Sequence, residues 1–134
     1  MIEIQKILDL TFPFVENLLE NYGEFYPLAS AVNNQGEVEQ VIGEKDDENE
    51  FPKSNTVIGE LKKELRWNKD KYKAIAMFYD VTIKEKQTDA VAVFVEQKDE
   101  KLAYIFYYAY KMVEGKPMFS ESWKVEKEME IFID

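Results

Sequence analysis

KAIAMFYDVTIKE (Lys73–Glu85), DAVAVFVEQ (Asp89–Gln97) and LAYIFYYAYKMV (Leu102–Val113) are three apolar runs rich in β-branched and aromatic residues. That composition is the signature of strands. Only Lys86-Gln87-Thr88 and Lys98-Asp99-Glu100-Lys101 separate them. Links of three and four residues cannot carry a crossover, so the three strands must be antiparallel neighbours.

Upstream, Ser54 or Asn55 can cap a helix running to about Asp70, with Val57, Ile58, Leu61, Leu65 and, beyond its end, Tyr72 turned inward. Before it, Tyr26–Val32 and Glu37–Ile42 flank Asn33-Asn34-Gln35-Gly36. Asn and Gly supply the positive φ values of a tight return, so this segment predicts a hairpin. The chain opens with Ile4, Ile7, Leu8, Thr11, Val15, Leu18, Leu19 and Tyr22 on helical spacing. Pro13 either kinks that helix or starts a second segment near its first turn. After Gly115 and Pro117 the tail Phe119–Ile133 reads as a last strand or a short helix. The predicted fold is α+β in one domain, residues 1–134. It has an antiparallel sheet of about five to six strands with two helices packed on one face, in the order α-β-β-α-β-β-β-(β).

Alternation divides each long strand between two faces. Ile75, Met77, Tyr79, Val81 and Ile83 are grouped with Val91, Val93, Val95 and with Tyr104, Phe106, Tyr108 and Tyr110, as the bulky face beneath the helices. The remainder, with Phe78, Phe94, Ile105 and Tyr107 among small alanines, would form an open apolar patch. A patch of several hundred Å² normally marks a partner. The alternative is that the hairpin or the C-terminal segment folds over it, or that the helices lie on the alanine side.

Composition excludes whole classes of chemistry. The 134 residues contain no His and no Cys. His- and Cys-dependent nucleophilic catalysis, zinc sites, disulfides and the usual haem or iron–sulfur ligation therefore cannot be built from this chain. The five glycines are isolated, so there is no phosphate-binding loop. The formal charge is −10. Residues 1–50 carry twelve acids against two bases, while residues 51–134 balance fifteen against fifteen. An acidic chain without a basic stripe repels phosphate backbones, which argues against nucleic acid. Strand-sized apolar runs and an N-terminus with early charges predict neither a membrane span nor a signal peptide, and hence a cytoplasmic protein.

No catalytic, cofactor-binding or metal-binding residue is predicted, and no cofactor. Asp46, Asp47, Glu48 and Glu50 lack the spacing and central glycine of a calcium loop. They read as a solvated run that could steer a basic partner. Asp80 interrupts an apolar strand and is either a tuned carboxylate or a residue on the wet side beside Lys98 or Lys111. Arg66, the sole arginine, beside Trp67, is either an anion clamp or a surface cation.

The corner Gly23-Glu24-Phe25-Tyr26-Pro27, the Tyr79-Asp80-Val81 strand and the Asp89-Ala90 strand start resemble those of a group of small bacterial proteins. In size, acidity and layout the chain resembles the immunity proteins of bacterial toxin systems. That resemblance implies a non-enzymatic protein acting by protein–protein binding, as an immunity-type inhibitor of a toxin. The partner-binding residues would be Phe78, Phe94, Ile105 and Tyr107 on the open face, with Asp46, Asp47, Glu48 and Glu50 in the acidic loop. A homodimer through the same face is a further expectation. The alternative function is a small-molecule-binding or weakly catalytic α+β domain.

Overall fold

The computed structural model describes residues 2–41 and 54–133. Asp46, Asp47, Glu48 and Glu50 lie outside the described residues. The chain is α+β, with a six-stranded antiparallel sheet and two α-helices among the described residues. Helix α1 (Ile2–Tyr22) leads into strands β1 (Leu28–Asn33) and β2 (Val38–Val41); helix α2 (Ser54–Trp67) precedes β3 (Tyr72–Ile83), β4 (Thr88–Gln97), β5 (Ala103–Val113) and β6 (Lys116–Lys127). Across the sheet the order is β2-β1-β3-β4-β5-β6.

Helix α1 is continuous through Pro13. The proline lies on the exposed side, where water can meet the carbonyl that loses its donor. The opposite side buries Ile4, Ile7, Val15 and Leu19. Thr11, in the middle of this stripe, bonds the hydroxyl of Ser30 on β1 at 2.9 Å, so the buried pair is satisfied. At the tip of the β1–β2 hairpin the Asn33 carboxamide oxygen accepts from the N–H groups of Gln35 and Glu37, each at 3.0 Å. Gly36 there adopts φ +85°.

Register settles the faces and corrects the sequence reading. Directly opposed residues share a face, and Ile75 opposes Glu96, Met77 opposes Phe94 and Tyr79 opposes Ala92. The odd positions of β3 therefore lie with the even positions of β4, not the odd ones. One face carries Ala74, Ala76, Phe78, Val91, Val93 and Val95 and packs against Ile4, Ile7, Val15 and Leu19 of α1. The other carries Ile75, Met77, Phe94 and Ile105 and packs against Leu61 and Leu65 of α2 and Ile131 of the C-terminal segment. The helices thus lie on opposite faces, and the expectation that both cover one face is replaced.

The expected open patch disappears with it. Phe78, at 0% exposed, belongs to the α1 face, while Phe94 at 3% and Ile105 at 7% belong to the α2 face. Three residues expected to meet a partner are core residues, each contributing ~1.5–3 kcal/mol by burial. Tyr107 alone of the four keeps partial access. The tail resolves into β6 followed by an irregular segment, residues 128–133, that folds back over the α2 face.

Candidate binding groove

The α2 face is covered from two sides, and the seam between the covers stays open. Ile58 and Lys62 of α2 form one wall; Lys127, Glu128 and Glu130 form the other. The floor is Met77, Tyr79, Phe94 and Ile105, and the groove holds about 570 Å³. Lys62 reaches across to Glu130 at 3.1 Å, and its ammonium sits 5.9 Å from the centre of the Phe94 ring. The result is an apolar slot bordered by charges of both signs.

The C-terminal wall is held by a charged group that closes the apolar run of β4. Glu96 is 1% exposed. Its carboxylate accepts the N–H of Glu130 at 2.7 Å, of Ile131 at 3.0 and 3.1 Å, and of Phe132 at 3.0 Å. A buried carboxylate is tolerable only with such donors, and here three backbone groups supply them. Lys69 adds a bond from its ammonium to the Ile133 carbonyl. With the chain so fixed, Ile131 is driven fully into the core. The signal available in the sequence was a charged residue closing the run Val91–Val95, where a solvent-facing position would break the apolar pattern less.

Beyond the floor, the Tyr107 and Trp123 rings stack at 5.4 Å, and Lys86 lies 4.7 Å from the Trp123 ring centre. Burial, with Tyr107 and Glu130 nearby, pushes the Tyr79 hydroxyl up to about 12. It stays protonated at neutral pH and can donate a hydrogen bond into the groove. That shift runs away from neutrality, opposite to the tuning a general acid or base requires.

Asp80 lies on the other face. It accepts the Tyr110 hydroxyl at 2.7 Å, in place of the lysine neighbours expected from sequence. Burial raises its pKa, the Tyr110 bond opposes this, and Asp89 and Glu24 add to the rise. Burial and the same carboxylates push Tyr110 far upward. Three carboxyl groups and a phenol thus gather at one end of the α1 face, yet among the described residues no cluster has the geometry to hold a metal ion. Arg66 is exposed beside Trp67, itself 87% exposed. No helix among the described residues is long and apolar enough to cross a membrane.

Comparison of the chain with protein-family models, with curated proteins and with solved structures finds no match in any of the three. The functional reading therefore rests on the chain's own geometry.

Proposed function

We propose that this chain is a non-enzymatic protein-binding module, of the kind by which an immunity protein neutralises a toxin, and that the α2-face groove receives a segment of the partner. The observation that supports this reading is the groove itself: an apolar floor bordered by Lys62, Lys127, Glu128 and Glu130, with no nucleophile–base pair among its lining residues. Such a slot suits an apolar side chain flanked by charges, the composition of a protein surface segment. The acidic surplus of the N-terminal half adds long-range attraction for a basic partner.

The test is affinity capture from the source cells with the native chain and with Ile58→Glu, which places a charge on the groove wall without entering the sheet core. The reading expects a protein recovered by the native chain and lost with the variant, and expects that protein's toxicity to be relieved on co-expression. Equal recovery by both chains overturns the groove as the binding surface.

A second reading follows from size. A volume of about 570 Å³ falls within the roughly 300–1,000 Å³ of small-molecule sites. Thermal-shift screening with a metabolite panel separates the two, because a small ligand raises the melting temperature of the isolated chain and a protein-binding slot leaves it unmoved.

A further inference from the structure

Among the described residues, strand β6 closes the sheet on one side and pairs only with β5. Its twelve residues, Lys116–Lys127, present ~40 Å of backbone at ~3.3 Å per residue. Natural edges are usually shortened, charged or bulged because an unpaired strand templates another. This edge is bulged at one place and charged elsewhere, but its charges Lys124, Glu126 and Lys127 are of both signs, so a second copy can pair them. Tyr108 opposes Ser122 but Tyr110 opposes Phe119, so β6 carries an extra residue between them. The bulge breaks the edge there and leaves two regular stretches, Lys116–Phe119, which contains Pro117, and the longer Ser122–Lys127.

We propose that the chain forms a two-fold dimer by antiparallel pairing of the longer stretch of β6 with that of a second copy, with Val125 on the axis. The register follows from parity and charge. A two-fold axis perpendicular to the sheet keeps each side chain on its own face, so the axis passes through a residue. Placed on Lys124 or Glu126, it sets a charge against its own copy, which is destabilising. Placed on Ser122 or Trp123, it forces the bulged residues into the ladder. Placed on Val125, it sets Lys124 opposite Glu126 twice and Trp123 opposite Lys127 twice, with valine facing valine. Val125 is 39% exposed, and Lys124, Glu126 and Lys127 are all exposed. The dimer offers each an opposite charge, an aromatic ring or an apolar contact. It also places the two grooves on one surface across the axis, since Lys127 and Glu128 line the groove. It replaces the face-to-face dimer expected from sequence, of whose contact residues Phe78, Phe94 and Ile105 are buried.

Sedimentation equilibrium reads the mass against 15.8 kDa for one chain. The native chain should sediment at twice that mass. Lys124→Glu sets glutamate against Glu126 at two symmetric places and should weaken the dimer about tenfold or more. The double swap Lys124→Glu with Glu126→Lys restores both pairs and should restore the dimer. Both positions are on the surface, and circular dichroism confirms that each variant is folded. A native chain that is monomeric at several hundred micromolar overturns the proposal. So does a dimer that Lys124→Glu leaves intact, or a weakened dimer that the double swap fails to recover.

Discussion

Glu96→Gln is the substitution on which the account of the C-terminal wall stands or falls. The carboxylate receives three backbone N–H groups in four contacts of 2.7 to 3.1 Å. Glutamine keeps one acceptor oxygen and turns an NH₂ toward N–H donors it cannot accept. If residues 130–132 stay in place, at least one buried N–H loses its partner, at ~1–3 kcal/mol, and bonds to a charged acceptor worth ~1.5–3 kcal/mol each become neutral ones. If they leave, burial of the Ile131 side chain is lost, at ~1.5–3 kcal/mol. The bonds of Lys62 to Glu130 and Lys69 to Ile133 go with it. Backbone freedom of ~1–2 kcal/mol per released residue offsets part of that loss. The first route therefore sets the expected loss at ~1–3 kcal/mol, and the second caps it, because the segment leaves only where leaving costs less. Urea unfolding should show that loss, and hydrogen exchange should show the amides of Glu130, Ile131 and Phe132 opening well before those of β4. A loss under ~0.5 kcal/mol, typical of an inconsequential surface change, with those amides still protected, refutes the latch.

Spectrophotometric titration should show a late tyrosine ionisation at about 12 that Tyr79→Phe removes. Because the folded value of Tyr79 lies above the unfolded 10.0, stability is fully present below pH 10 and declines as pH rises toward 12; a stability profile that is flat across that window contradicts its burial. Asp80→Asn should stabilise the fold at pH 7 and have no effect well below pH 3.8. The folded Asp80 holds its proton more tightly than the unfolded one, so its ionisation removes stability as pH rises above that value. Equal midpoints for the native chain and the Asp80→Asn variant across pH 3 to 8 would show that the Tyr110 bond cancels the burial. Gly36→Ala should cost ~1 kcal/mol from the backbone alone. Gly36 sits at φ +85° while the added Cβ would meet only the Lys6 ammonium at 3.7 Å. A neutral result by denaturant midpoint counts against the strained turn.

The helices, the hairpin and the long strands were legible because period and turn chemistry are local. Leu61 and Leu65 fall one turn apart and are buried, and Asn33-Asn34-Gln35-Gly36 forms the tip that its residues demand. The faces were not legible because they depend on register, which no single strand encodes. Strands β3 and β4 each alternate cleanly, but whether Met77 opposes Phe94 or Val93 decides the companions of every side chain, and a shift of one residue exchanges the whole set. One clue lay in β4, which is apolar on both sides from Ala90 to Val95. Such a run is the mark of a sheet covered on both faces. The groove was hidden for a related reason. Its far wall has no period to read, since residues 128–133 are placed by side-chain bonds to the backbone rather than by a ladder or a helix.

Double coverage also restricts where recognition can occur. With α1 on one face and α2 and residues 128–133 on the other, the accessible apolar surface of the described sheet lies at its edges, in the seam that the two covers of the α2 face leave open, and beside α1, where Leu8, Phe12, Tyr108 and Phe119 line a smaller groove. The same segment is latch and wall. Any substitution that frees it, Glu96→Gln foremost, must alter the groove as well as the stability. Gly36→Ala lowers stability at the hairpin tip and leaves the wall untouched. If partner capture falls with Glu96→Gln but survives the loss of stability at Gly36, under conditions where circular dichroism shows both variants folded, binding depends on the placement of Glu128 and Glu130. If both variants reduce capture alike, global stability alone governs it, and the groove is not the contact.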